Sequence, residues 1–387
     1  MSQWPMRKLG EIFEIARGGS PRPIQNFLTD DPSGINWIMI GDATESGKYI
    51  ERTAKRIKVE GASSSRLVST GDFLLTNSMS FGRPYILRTN GCIHDGWLHL
   101  KKRAQNVDDN YFYHLLGSDV VYANFKRLAA GATVKNLNID LVSNVSVPLP
   151  PLSEQQRIAA ILDKADSLRS KRQEGIRLAD EFLRAVFIDG FGNPAVNSKN
   201  LPTKRIEELC HVATGATPSR DRADFFGGPH PWVKTGEVDC PMIQSAEESI
   251  TDSAIRETNC KLFPIGTVLV AMYGQGKTRG KVGMLGIPAA TNQACAAILP
   301  STNISPHFLY AQLRLMYEHL RAMGRGGNQE NLNLGMIKSL EVLVPPKADV
   351  ENFLSIRQRT DAMLTKAGNG KKDIERLASS LNAALLG

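Results

Sequence analysis

Two kinds of apolar spacing alternate along the chain. Short runs in which almost every position is apolar, such as "DFLLT" (72–76) and "TVLVA" (267–271), are closed off by glycine and read as buried β-strands. Longer stretches carry apolar residues three and four apart and read as helices: "DNYFYHLLGSDVVYANFKRL" (109–128) and "SPHFLYAQLRLMYEHLRAM" (305–323). Two further helical patterns follow proline pairs, one from Leu152 and one from Lys347. In "LSEQQRIAAILDKADSLRSKRQEGIRLADEFLRAVF" the Ser153/Gln156 pair has the spacing of a capping box. There Ile158, Ala165, Arg172, Ala179 and Val186 recur every seven residues, with Ile161, Leu168, Gly175 and Phe182 interleaved. In the second stretch Phe353, Thr360, Ala367, Ile374 and Leu381 take the first positions, and Ile356, Met363, Gly370, Leu377 and Ala384 the second. Such seams predict two long helices that pack on each other as a coiled coil. The positions expected to pack the helices or dock partners are Ile158, Ile161, Ala165, Leu168 and Phe182 in one, and Phe353, Ile356, Met363, Ile374 and Leu377 in the other.

The pattern is written twice. "MRKLGEIFEIARGGSPR" (6–22) aligns with "TKRIEELCHVATGATPS" (203–219), and "NWIMIGD" (36–42) with "PWVKTGE" (231–237). "STGDFLLT" (69–76) aligns with "PIGTVLVA" (264–271), and "LNIDLVSNVSVPLPP" (137–151) with "LNLGMIKSLEVLVPP" (332–346). The repeat of about half the chain marks a duplicated module rather than a solenoid. Each copy mixes strands and helices in a length suited to one core, so an α+β domain is expected twice. The boundaries follow: a first domain over 1–151, a spacer helix over 152–190, a Gly/Asn/Pro-rich linker over 191–200, a second domain over 201–346 and a second spacer helix over 347–387.

Composition narrows the partners. The 387 residues carry a formal charge of +8, so an anionic partner is expected, nucleic acid first. No run of 18 apolar residues is present and the first residues lack a secretory pattern. The five scattered cysteines fit reduced thiols, and a cytoplasmic location is expected.

"AMYGQGKT" (271–278) has the outline of a phosphate loop, which would make the chain a nucleotide hydrolase. Two features argue otherwise. The residues after Thr278 read as a strand, and the matching place in the first copy, "TNSMSFGRPYIL", has no Gly-Lys-Thr. The reading preferred is a glycine-lined recognition loop whose cations meet DNA: Lys277, Arg279 and Lys281 in the second copy, Asn77 and Arg83 in the first. Further loop cations are Arg17, Arg22, Lys48 and Lys135 in the first copy and Arg220, Arg222 and Lys234 in the second. Arg325, Asn328 and Gln329 occupy the loop matched to that of Lys135. No metal-ligand spacing and no catalytic constellation stands out, so a non-catalytic protein is expected, with no metal and no cofactor of its own. A structural scaffold that reads no DNA is the remaining alternative.

"VPLPPLSEQQRIAAILDKADSLRSKRQE" inside this two-copy layout resembles the central region of specificity subunits of Type I restriction-modification systems. The resemblance spans residues 4–387. It implies two target-recognition domains, each reading half of a split double-stranded DNA site, joined by two long antiparallel coiled-coil helices with a pseudo-twofold internal repeat. It also implies methyltransferase subunits docked on the helices, restriction subunits joining through the complex, and S-adenosylmethionine, ATP and magnesium held by those partners. The second copy departs from the pattern, with Ala348 at the position matched to Ser153 and no Glu-Gln-Gln.

Overall fold

The computed structural model describes residues 4–77, 82–103, 105–130, 136–239, 241–274, 276–323, 331–368 and Ser380. The chain forms two compact units, which divide between Arg172 and Gln173. The boundary falls inside a single helix.

The first unit opens with Met6–Lys8 (β1) and Leu9–Ile12 (α1), then Phe13–Arg17 (β2), Leu28–Thr29 (β3), Ile35–Ile38 (β4) and Ile40–Ser46 (α2). Next come Tyr49–Ile50 (β5), Lys55–Ile57 (β6), Arg66–Val68 (β7), Phe73–Thr76 (β8), Pro84–Leu87 (β9), Gly91–Ile93 (β10) and Trp97–Lys102 (β11). Asp109–Leu116 (α3), Asp119–Ala130 (α4), Ile139–Ser143 (α5) and Ser146–Pro148 (β12) complete it. One five-stranded sheet runs β2-β11-β8-β9-β5, a second runs β3-β6-β4-β10-β7, and β12 returns to pair with β1. The continuous apolar run of β8 has a simple cause. Phe73 and Leu75 face the core with α3, while Leu74 faces the other way, among Ile38, Leu87 and Trp97. A strand covered on both faces has no polar side to alternate with.

Leu152–Phe191 (α6) is one helix of 40 residues. It starts one residue before the expected cap, and the Ser153–Gln156 box does not form; the amides of Glu154 and Gln155 bond to the Pro151 carbonyl instead. The residue that seats the helix is Gln155. Fully buried, it accepts from the Asp108 amide at 2.9 Å and donates to the carbonyls of Asn106 (3.0 Å) and Pro150 (2.9 Å).

The second unit repeats the plan with fewer strands. After Thr203–Arg205 (β13) and Ile206–Leu209 (α7) come Val212–Thr214 (β14), Phe226–Val233 (β15), Glu248–Ile250 (β16) and Asp252–Glu257 (α8). Val268–Ala271 (β17), Val282–Met284 (β18), Ala290–Thr291 (β19) and Cys295–Ile298 (β20) follow. Pro306–Leu315 (α9), Tyr317–Met323 (α10), Leu334–Ser339 (α11), Glu341–Leu343 (β21) and Lys347–Gly368 (α12) close it. The sheets run β14-β20-β17-β18 and β16-β15-β19, with β13 paired to β21.

The duplication reaches individual atoms. Trp37 pairs in parallel with Cys92, and Trp232 with Ala290. Asn138 caps α5 through the Leu141 amide at 2.8 Å, and Asn333 caps α11 through the Met336 amide at 2.9 Å. Gly18 and Gly215 pass so close to a neighbouring strand that a Cβ would lie 2.1 Å from the His94 carbonyl oxygen and 1.9 Å from that of Thr291. Only glycine fits either place.

Several expectations need correction. Each of the stretches 109–128 and 305–323 is two helices, broken at Gly117–Ser118 and at Met316. In the first, the Ser118 hydroxyl accepts from the Val121 amide and so begins α4. The heptad seams hold only in part. Ile158, Ala165 and Phe353 are buried, and Ile161 and Ile356 half-buried. Leu168, Phe182 and Met363 stay 37%, 50% and 72% exposed. The reason is the period. Ile158, Ala159 and Leu162 dock α6 onto the first unit's own core with the 3.6-residue repeat of a straight helix, and a 3.5-residue seam drifts off that face. In the second unit, Phe187 and Phe191 of α6 enclose Phe353 of α12 and Phe308 of α9. Ile374 and Leu377 lie outside the described residues.

Candidate nucleic-acid interface

In the first unit a polar hub forms where β2, β8 and β10 run out. Asp95 is its centre. The Ser20 hydroxyl donates to its carboxylate at 3.0 Å, and Arg22, 82% exposed, stands 3.5 Å away. Its carbonyl accepts from Arg17 Nε at 3.1 Å and Asn77 Nδ2 at 2.8 Å. Burial pushes the Asp95 carboxyl up, but the Ser20 hydroxyl and the positive groups beside it outweigh that and hold it below its ordinary value. The fold thus gathers three predicted residues, Arg17, Arg22 and Asn77, around an aspartate that no sequence motif marks. Asn77 is itself buried and holds the loop together, accepting from the Leu137 amide at 2.9 Å.

Arg83 stands apart from this hub, exposed beside a cleft of about 830 Å³ that is also lined by Tyr113, His114, Tyr122, Asp166 and Arg169. Lys48 does not project from its loop. Its ammonium bonds Asp163 of α6 at 2.6 Å and lies 4.9 Å from the Tyr113 ring centre. His114 reaches the same carboxylate at 2.8 Å, so Asp163 ties the turn between α2 and β5 and helix α3 to α6. A lysine so held is a structural clamp. Lys135 lies outside the described residues, as do Arg325, Asn328 and Gln329.

In the second unit the predicted cations sit among carboxylates. Arg220 grips Glu248 with both Nη atoms (2.6 and 3.3 Å) and lies over the rings of Phe226 and Trp232. Lys234 bonds Glu247 at 2.9 Å and Glu248 at 3.1 Å. Arg222 pairs with Asp224 and Glu257, and Lys281 with Asp239 at 2.6 Å. The hydrogen bonds from Arg220 and Lys234 hold the Glu248 carboxyl below its ordinary value. The Arg222 pairs are solvent-exposed and therefore weak, whereas Lys234, Glu248 and Lys281 are half-buried. Of the three cations in the β17–β18 loop, Lys277 is exposed and Arg279 half-buried.

That loop settles the phosphate-loop outline. β17 leads into a turn with positive φ at Gly274, Gly276 and Gly280, and the chain returns as β18, pairing antiparallel with β17. A phosphate loop needs a helix N-terminus aimed at the phosphates, and a strand stands in its place. The first unit makes the same hairpin: Gly82 donates to the Thr76 carbonyl as Gly280 does to that of Ala271.

Two folds of one plan, unlike in strand number and in the side chains on their loops, define a protein that presents two distinct polar surfaces. The family model described as "Type I restriction modification DNA specificity domain" matches residues 1–178 and again 198–375, and the chain belongs to that family. It is a DNA specificity subunit of the Type I restriction-modification kind. Among its relatives is the Type I restriction enzyme MjaIX specificity subunit of Methanocaldococcus jannaschii, 23% identical over 99% of this chain and 91% of the relative. The HindI specificity subunit of Haemophilus influenzae is 21% identical over 91% of this chain and 92% of its own length. The crystal structure of a Type I S subunit from M. genitalium shares the fold, with a TM-score of 0.59 at 15% identity, covering 100% of this chain and 96% of that one. Among the described residues no helix is long and apolar enough to cross a membrane, and no group of three or more His, Cys, Asp or Glu could hold a metal ion.

Proposed function

We propose that this chain reads a bipartite double-stranded DNA target, one half-site per unit, and performs no chemistry itself. One observation carries the reading. The same loops emerge from the same strands in both units, yet their side chains differ: His94 and Asp95 in one correspond to Thr291 and Asn292 in the other, and Arg83 to Lys281. A duplicated frame with unlike loops suits two unlike sequences. Arg17, Arg22 and Arg83 serve the first half-site, and Arg220, Arg222, Lys234, Lys277, Arg279 and Lys281 the second, dividing phosphate from base contacts.

α6 supplies the spacer. At ~1.5 Å per residue its 40 residues extend about 60 Å, more than one turn of duplex at ~34–36 Å. Its exposed Leu168, Leu178 and Phe182, which share one side of the helix, offer apolar contacts to methyltransferase subunits, and restriction subunits join through them. S-adenosylmethionine, ATP and magnesium belong to those partners, and the assembly works in the cytoplasm.

The test is methylation sequencing of a host expressing the chain with its methyltransferase. Arg83→Ala should relax one half of the recognised sequence and Lys277→Ala the other. Equal damage to both halves by either variant would refute the assignment of one reader to each unit.

A further inference from the structure

Lys277 projects from a loop whose backbone is held from behind. The Tyr317 hydroxyl, on the first residue of α10, donates to the Lys277 carbonyl at 2.7 Å. One turn on, Arg321 Nη1 donates to the Gly276 carbonyl at 2.8 Å and to the Tyr317 oxygen at 3.0 Å. The loop also closes onto the helix through Gly280, at φ +84°, where a Cβ would lie 3.2 Å from Arg321 Cγ and 3.5 Å from Leu320 Cβ. Two consecutive carbonyls are thereby turned toward α10, and both donors are half-buried. Without them three glycines at positive φ would leave this stretch free to sample many conformations.

The other unit has the counterpart. Tyr122 of α4 corresponds to Tyr317 at the 195-residue repeat, and the closing Gly82, at φ +82°, would place a Cβ 3.3 Å from the Tyr122 ring and 3.1 Å from that of Phe125. A tyrosine behind the recognition hairpin is therefore part of the duplicated frame.

We propose that Tyr317 and Arg321 are positioning residues for sequence reading. They touch no DNA, but fix the β17–β18 loop so that Lys277 meets a base edge in one geometry. A lysine on a four-carbon stem discriminates bases only if its backbone is still, because a mobile loop lets the ammonium settle on any nearby acceptor, phosphate included. The inference rests on the reading that this loop faces DNA.

The experiment uses the full chain assembled with its methyltransferase subunits. Target preference is measured on a DNA library with each half-site randomised, beside thermal unfolding. Tyr317→Phe and Arg321→Met are compared with Lys277→Ala. Discrimination at the second unit's half-site should fall about ten-fold in all three, the size of one lost base contact. The other half-site and the unfolding temperature should stay unchanged. Tyr317→Phe and Arg321→Met should retain overall DNA affinity, since the lysine remains. If Lys277→Ala relaxes the half-site and the two helix variants do not, the positioning role is wrong while the hairpin assignment stands. If Lys277→Ala itself leaves the preference untouched, the hairpin does not read this half-site and both ideas fall. Weakening that is uniform over all sequences would make the pair an anchor for phosphate contact and overturn the specificity claim.

Discussion

Phe187 and Phe353 meet edge to face, with ring centroids 5.4 Å apart and planes at 89°. Phe187 lies on the second half of α6 and Phe353 on the first turns of α12; each is almost wholly buried, and Phe191 and Phe308 complete the cluster. In this cluster the two long helices meet, and residues of both line a common cleft beside it, Asp180 and Arg184 from one and Arg357 and Asp361 from the other.

Truncating Phe353 to alanine should destabilise the second unit by ~3–5 kcal/mol, from lost transfer energy and the cavity left among three other rings. Thermal unfolding followed by limited proteolysis should show residues beyond Gln173 cleaved first, with the first unit intact. Equal loss of both units would mean that the cluster supports the whole chain.

Gly215→Ala should cost at least ~1–3 kcal/mol, because the new methyl would sit 1.9 Å from the Thr291 carbonyl oxygen and force strands apart. Gly236→Ala, where a Cβ would meet nothing within 4 Å, is the matched control and should change stability by under ~0.5 kcal/mol. Denaturant midpoints of the two variants decide the matter.

The Asp163 clamp sets an acid limit. Burial raises this carboxyl, but the hydrogen bonds from Lys48 and His114 win and hold it below its ordinary value of 3.8. A carboxyl depressed by folding stabilises the native state above its unfolded value, and that contribution disappears as the pH falls through the lower, folded one. The first unit should therefore lose stability as the pH drops below about 4. Asp163→Asn should lower stability at neutral pH and flatten this acid limb. An unchanged pH profile in circular dichroism melts would remove the clamp from the account.

Glu248→Gln should strengthen rather than weaken DNA association. In the free protein this carboxylate accepts from both Arg220 and Lys234, so its neutralisation frees Arg220 for a phosphate and leaves Lys234 held by Glu247 alone. The plot of log affinity against log salt should steepen by about 1 unit, near 0.9 per added phosphate contact. A flat response would place this cluster away from the duplex.

Much of the architecture was legible in order of residues alone. The 195-residue repeat announced two similar α+β domains, because matched apolar runs must fill matched cores, and the apolar strands β8 and β17 stood out because both their faces are covered. The proline pairs before Leu152 and Lys347 marked the starts of both long helices, since proline stops a strand and tolerates the first turn of a helix. The strand-like residues after Thr278 were enough to set the phosphate-loop outline aside.

What only the tertiary structure decided is which polar groups find each other. Arg220 and Glu248, or Lys48 and Asp163, lie 28 and 115 residues apart, and nothing in local spacing encodes such a meeting. Lys48 became a clamp and Asp95 a hub for that reason. The helix faces were decided the same way: a seven-residue pattern and a 3.6-residue pattern differ by a few degrees per residue, and only the core each helix packs against selects between them. Backbone periodicity is a local property that a chain carries on its own. The partner of a charge depends on where the fold returns the chain, and that is set by the whole core.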